Sequence, residues 1–353
     1  MPDFEVAVVG DGILGAFVVD ALTHDVARAS DIGWFGDEAS FEEHSATSYS
    51  GGLVRCGMRP LQHDDALDAF DAWWRYEPAL HRIGALEAVS DATAAYSRAA
   101  ELRSRGLEAL VLRGTQIAEM TGAHYPRVET ALYEPEAGYV DVRRLRTELL
   151  NHAVNVGVSI LHRHHVVLID DPANTPTATI HTKDGSFTAR AVAVVAGAGT
   201  KKLLPAWDDL TQLRTIGYGF FSGLLPIGLP TLNDDRFGLW WRPAPTAEHP
   251  DRYLVGRARD VGAGGQATAV HSLDQAEYIR DGLLGYLDDA EAGRYLGGVL
   301  SFDACTPRPH APRHLMVSST GRVVSATNFN GGGLKRAPAL AQQITSLIKT
   351  ERR

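Results

Sequence analysis

The glycines of Gly10-Asp11-Gly12-Ile13-Leu14-Gly15 have a spacing with a chemical use. Gly10 can make a tight turn, Gly12 lets backbone approach a pyrophosphate, and Gly15 lets a helix lie close on the preceding strand. A helix starting here offers free N–H groups and the positive end of its dipole to a phosphate. A glycine-rich turn with no ligand has the same composition, so the motif depends on its context. That context is the β-branched run Val6-Ala7-Val8-Val9 before it and an apolar stretch after it. A second glycine-rich junction, Asn328-Phe329-Asn330-Gly331-Gly332-Gly333-Leu334-Lys335, stands near the other end of the chain, again between an apolar run and a helical pattern. Two ends converging on one long ligand are what an extended dinucleotide such as FAD demands.

Other residues carry weaker chemical signals. The second strand, over 31–35, ends at Gly36, where a dinucleotide fold has an acid for the ribose hydroxyls. Asp37 follows and could serve, displaced by one residue; a solvated acidic turn is the alternative. No Arg stands near for a 2′-phosphate. Ser45-Ala46-Thr47-Ser48-Tyr49-Ser50-Gly51-Gly52 joins hydroxyls to paired glycines, and Ala196-Gly197-Ala198-Gly199 ends an apolar run in small residues. Both suit close backbone approach to a ligand, and both compositions also occur in plain loops. His162-Arg163-His164-His165 invites a metal reading, yet strand alternation cannot turn all three rings to one ion. No nucleophilic triad is evident.

The elements that would position these residues follow from periodicity. Apolar spacing predicts helices over 64–76, 92–107, 142–153 and 274–287, with Asp141 as the N-cap of the third. Parallel strands are expected over 6–9, 31–35 and 191–196, and shorter ones over 158–161 and 166–169. From about 212 to 300 the pattern changes to short strands with interleaved aromatics, which reads as an antiparallel sheet. Tyr218, Phe220, Trp240, Trp241 and Tyr253 are candidates there for pocket walls, and core packing explains them equally. A strand over 322–327 precedes a last helix over 337–348, with Pro338 in its first turn. The fold class is therefore α/β, or α+β overall: a Rossmann-like lobe beside a second lobe built on an antiparallel sheet.

Bulk properties narrow the partners. A net charge of −9 argues against nucleic acid, which needs a basic face. No apolar run approaches the roughly 18 residues of a membrane span. Two cysteines, Cys56 and Cys305, give no disulfide framework, and the first strand starts too early for a secretory signal. The expectation is a cytoplasmic chain with a small-molecule substrate.

The pattern resembles the D-amino-acid oxidase, glycine oxidase and sarcosine oxidase family of FAD-dependent oxidoreductases. The resemblance is carried by Gly10 to Gly15, Ser50-Gly51-Gly52-Leu53-Val54-Arg55, Gly138-Tyr139-Val140-Asp141, Val194-Val195-Ala196-Gly197-Ala198-Gly199 and Phe329 to Ala339, end to end along the chain. It implies an FAD lobe from 1–57, 138–212 and 301–353, and a substrate lobe from 58–137 and 213–300. It implies hydride transfer to the flavin from a carbon bonded to an amine nitrogen, with O2 or another electron acceptor downstream. The cofactor contacts it implies are Gly10, Gly12, Ile13, Leu14, Gly15, Asp37, Ser48, Ser50, Gly51, Gly52, Val166, Ala196, Gly197, Gly199, Cys305, Gly331, Gly332, Gly333, Leu334 and Lys335. Arg308 falls where several members hold the substrate carboxylate, a fork-to-fork match in chemical terms. A structural Arg308 is the alternative. Arg308, Lys335 and Tyr253 are the expected catalytic residues. Cys305 stands near the place where sarcosine oxidases bond a cysteine to the flavin, so the FAD is a candidate for covalent attachment there. A buried, inert thiol is the alternative.

Departures from the family pattern keep rivals in play. Gly36 replaces the acid at the end of the second strand, Ala311-Pro312-Arg313 replaces a Thr-Pro-Asp, and Leu254 or Val255 stands where sarcosine oxidases have a lysine that assists oxygen. One rival is a flavin-dependent 2-hydroxy-acid dehydrogenase, which needs a base such as His310 or His314. The other is a degenerate, non-catalytic FAD-binding subunit.

Overall fold

Val6, Ala7 and Val8 are fully buried, as a central parallel strand requires. Their strand, Phe4–Val9, pairs in parallel with Ile32–Phe35 on one side and Gly185–Val194 on the other. Ser159–Leu161 continues the parallel set beyond Ile32–Phe35, and Val323–Ala326 pairs in parallel with Gly185–Val194. Three antiparallel strands, Val166–Asp170, Ala178–Thr182 and Leu315–Val317, complete an eight-stranded sheet. The computed structural model describes every residue except 1, 25–27, 38–44, 49, 57–71, 74–75, 77–78, 123–124, 226, 235, 258–267, 271–272, 285, 288–292, 308–313, 330–331 and 351–353, together with the side chains of 215–216 and 268–270. Arg308, His310, Gly331, the 311–313 stretch and most of the helix expected over 64–76 lie outside the described residues.

Alternation along the central strands feeds two cores. On one face Val6, Val8, Ala191 and Ala193 pack with helices Ile13–Thr23, Val142–Val156 and Gly333–Thr350, through Phe17, Leu145, Leu149, Ala341 and Ile344. On the other, Ala7, Val9, Phe35, Val192 and Val194 pack with Ile169, Ile180 and Leu203. Asp141 caps its helix as expected: the carboxylate accepts from the Arg144 N–H at 3.1 Å, and Gly157 ends the helix in the left-handed region.

The second large sheet has nine strands, in the order Thr268–Val270, Arg294–Cys305, Gln212–Ser222, Tyr253–Arg257, Leu239–Pro243, Thr231–Asp234, Ala85–Ala88, Thr130–Glu134 and Leu110–Arg113. All neighbours are antiparallel except Thr231–Asp234 with Ala85–Ala88, which run parallel. Here the expectation of short strands fails. Gln212–Ser222 and Arg294–Cys305 are 11 and 12 residues long and paired from Gln212 with Cys305 to Ser222 with Arg294. Gly217 and Gly219 lie inside the first of these strands. A Cβ at Gly217 would come within 2.7 Å of Gln275 Nε2, and one at Gly219 within 3.0 Å of Ile279. They let helix Leu273–Leu283 lie close on the sheet. A small third sheet joins Leu53–Val54, Gly138–Val140 and Leu80–Arg82.

The last helix is also longer than expected. It begins at Gly333, so Pro338 sits inside it and not in its first turn. Pro338 has no N–H for the Leu334 carbonyl, and the next carbonyl, that of Lys335, accepts from Trp73 Nε1 at 3.1 Å. Among the described residues no helix is long and apolar enough to cross a membrane.

Candidate functional site

The first glycine turn is held from below. Gly10 has φ +128°, its N–H donates to the Phe35 carbonyl at 2.9 Å, and its own carbonyl accepts from Trp34 Nε1 at 3.0 Å. A Cβ at Gly15 would lie 1.9 Å from the Gly10 carbonyl oxygen, so only glycine lets this helix start so near the strand. Gly12 is the N-cap and brings no side chain to the helix end, and the first turn has no acid. Thr47 Oγ1 accepts from the Ile13 N–H at 3.0 Å, which draws the Ser45–Gly52 segment against the turn. That segment is pinned further on: Arg143 Nε donates to the Ser48 carbonyl at 3.1 Å, and the Gly52 N–H donates to Ser50 Oγ at 3.1 Å. Gly52, at φ +68°, meets the Val140 carbonyl so closely that a Cβ would be 2.3 Å away.

At the end of the second strand the acids are arranged differently from the expectation. The Asp37 carboxylate is 3.0 Å from His165 Nδ1. The Asp37 N–H donates to Asp11 Oδ2 at 3.2 Å, and Arg146 Nε donates to the Asp11 carbonyl at 3.0 Å. Burial pushes the Asp11 carboxyl up to about 6, against the pull of Arg146. The other two histidines of the tract look elsewhere. His162 is buried edge-on against Trp34 and pulled down to about 4 by burial and by Arg146, while His164 meets the Phe187 ring. Val166 and Ala196 pack in the apolar cluster that holds Val9 and Phe35, at the ends of the central strands.

The second set of loops gathers around the turn Gly197–Gly199. Gly197 has φ +53° and open space where a Cβ would stand, and its carbonyl accepts from Thr327 Oγ1 at 2.9 Å. The strand that ends at the half-buried Cys305 packs against this turn. Asn328 is fully buried at φ +64°. Its Nδ2 donates to the Leu210 carbonyl at 2.7 Å, and its Oδ1 has no partner among the described residues. The Gly332 N–H closes on the Phe329 carbonyl, Phe329 stacks on His314, and Gly333, Leu334 and Lys335 open the last helix. A helix start whose N-cap is a glycine, an open glycine and an orphaned buried amide oxygen fit a long ligand with an anionic middle.

Across from these loops the antiparallel sheet presents one aromatic face. Residues directly opposite in register share a face, so Tyr218, Phe220, Trp240, Arg242, Leu254 and Gly256 lie together. Trp240 lies on two glycines: a Cβ at Gly51 would be 2.9 Å from its ring and one at Gly256 2.2 Å. Tyr218 meets its edge at 5.7 Å. Arg242 stands over the Tyr139 ring at 5.1 Å, and its Nη1 donates to the Pro243 carbonyl at 2.8 Å. Its buried Nε has no partner, and no carboxylate pairs with it among the described residues. Burial pulls it down to about 10, so it is still a cation at neutral pH.

Tyr253 is not on this face. Strand alternation turns it with Trp241 and Val255 into the opposite core, where burial pushes its hydroxyl up to about 12. The structure therefore brings Gly10 to Gly15, Ser48, Ser50 to Gly52, Gly197, Gly199, Cys305 and Gly332 to Lys335 into connected segments and leaves Tyr253 apart. Arg242 escaped the sequence reading because its run was read for aromatics. The signal was a charged residue two places after Trp240, on the same face.

No curated relative matches the chain in sequence. In fold it is similar to the L-proline dehydrogenase of P. horikoshii, at 15% identity and a TM-score of 0.81 over 99% of this chain and 94% of the other. Glycine oxidase from Bacillus cereus ATCC 14579 gives 15% and 0.79 over 99% and 96%. Iminodiacetate oxidase from Chelativorans sp. BNC1 gives 17% and 0.76 over 98% and 95%. The model of the FAD dependent oxidoreductase family matches residues 5–347, and the chain belongs to that family.

Proposed function

We propose that the chain oxidises the C–N bond of an amino acid or imino acid to an imine, and that Arg242 holds the substrate carboxylate. The observation that carries the reading is the half-buried Arg242 cation, which no carboxylate pairs with among the described residues, on an aromatic wall that touches Gly51 through Trp240. A buried cation without a partner is costly, and a planar carboxylate would satisfy its fork. FAD, when bound, supplies the acceptor for the hydride, which carries both electrons of the oxidation. The Gly10–Gly15 turn and the helix start behind it would hold the pyrophosphate, while Gly197 would leave room for the ring. Cys305, at the end of the strand that packs against Gly197–Gly199, is the residue for a covalent link if one forms. Trp240, Tyr218 and Phe220 would exclude water from the reacting carbon and orient it. In this reading 1–57, 138–212 and 301–353 form the FAD lobe and the remainder the substrate lobe. Arg308 is a second candidate anchor for the same carboxylate.

The test is anaerobic loss of the oxidised-flavin colour with a panel of compounds. Reduction by an amino or imino acid, with none by its decarboxylated amine, supports the reading. Reduction by 2-hydroxy acids alone would favour the dehydrogenase rival, with His314, stacked on Phe329, as its base. A flavin that no compound reduces would favour a binding-only subunit.

A further inference from the structure

Strand Ile32–Phe35 ends where the adenosine ribose of a dinucleotide is held, and the residue there, Gly36, has no side chain to hold it with. We infer that Asp11, rooted in the glycine turn itself, supplies the ribose-binding carboxylate in place of residue 36. The inference rests on the FAD reading above and concerns which residue serves it.

The two positions share one space. A Cβ built on Gly36 would fall 2.5 Å from Asp11 Cβ and 2.8 Å from Asp11 Oδ2, so an acid at 36 and the acid at 11 exclude each other. Asp11 is fixed there from two sides. The Asp37 N–H donates to its Oδ2 at 3.2 Å, bridging the ends of the two parallel strands. Arg146 Nε donates to its carbonyl at 3.0 Å, and the same guanidinium stands 3.8 Å from Oδ2. The other acid nearby among the described residues, Asp37, directs its carboxylate to His165 Nδ1. Asp11 is thus mostly enclosed and placed at the crevice outside the carboxyl ends of two adjacent parallel strands, where such ligands bind. Two ribose hydroxyls are donors that a carboxylate can accept.

The experiment uses the full-length chain stripped of flavin, titrated calorimetrically with ADP and with 2′,3′-dideoxy-ADP. Charge-assisted hydrogen bonds predict that the unaltered chain prefers ADP by about ten- to a hundredfold. Asp11→Ala should bind the two nucleotides alike, and the exchange variant Asp11→Gly with Gly36→Glu, which also removes the Cβ that stands 2.5 Å from a Cβ at 36, should regain the preference. Should Asp11→Ala not fold, the isosteric Asp11→Asn is read instead and should lose most of the preference. A preference that survives removal of the Asp11 carboxylate overturns the inference, as does one abolished only by Asp37→Asn. If the unaltered chain binds neither ADP nor FAD, the FAD reading itself fails, whatever Asp11 does.

Discussion

Replacing Arg242 by Met should do two things that rarely go together: weaken substrate binding strongly and leave the substrate-free chain about as stable as before. The folded environment pulls the Arg242 guanidinium down to about 10, chiefly through burial, with Tyr139 and Asp141 opposing. Against an ordinary value of roughly 12.5, and about 1.4 kcal/mol for each tenfold, enclosure costs the cation on the order of 3 kcal/mol. Met fills the volume of the stem without that penalty. It gives up the hydrogen bond to the Pro243 carbonyl, about 1 kcal/mol, and the contact over Tyr139, about 1 kcal/mol. The sum leaves stability within about 1 kcal/mol of the starting value or slightly higher. Binding behaves differently, because losing the partner of a desolvated carboxylate costs about 2–5 kcal/mol, or roughly 30- to 5000-fold in Kd. Anaerobic titration of the flavin spectrum with the preferred substrate reads the affinity, and thermal unfolding of the same samples reads the stability. Stability lower by more than about 2 kcal/mol, with substrate affinity unchanged, would refute the reasoning and make Arg242 a structural residue. An Arg308→Met variant that alone abolishes binding would transfer the role.

Three further outcomes can be checked directly. Gly15→Ala should lower flavin content per chain and cost about 1–3 kcal/mol or more, since its Cβ would lie 1.9 Å from the Gly10 carbonyl and the turn must open; a full flavin load would contradict this. Burial raises Asp303 to about 6 against the pull of Arg214, so between about pH 4 and 6 the folded chain holds a proton that the unfolded chain has lost. Stability should therefore fall as pH rises through that window and level off above it; Asp303→Asn should remove this part of the slope and raise the neutral-pH unfolding midpoint, and an unchanged profile would count against it. Acid precipitation decides the Cys305 link: flavin that stays in the unaltered pellet but leaves the Cys305→Ser pellet marks a covalent bond, and free flavin in the unaltered supernatant rules it out.

What could be read from the sequence was what local sterics dictate. Gly10 and Gly15 were legible because a strand-to-helix turn demands glycine within five residues of chain, and the Asp141 cap because it needs only Arg144, three residues on. Demands that arise between distant segments were not legible. Gly217 and Gly219 serve a helix that begins more than fifty residues later. Tyr253 and Arg242 both lie in aromatic runs, and only the register of Tyr253–Arg257 on Leu239–Pro243 shows that one faces the core and the other the site. The last helix starts four residues before the position that Pro338 in a first turn implies, and Trp73 meets the carbonyl beside the missing bond. Asp11 and Gly36 combine both cases. Each alone is a small departure from a familiar turn: an acid where the turn tolerates many residues, and a glycine where an acid belongs. The 2.5 Å between Asp11 Cβ and a Cβ on Gly36 makes them one feature, a carboxylate moved from one strand end to the neighbouring turn. A missing motif residue therefore weighs against a function only after the space it would have filled has been checked for another side chain.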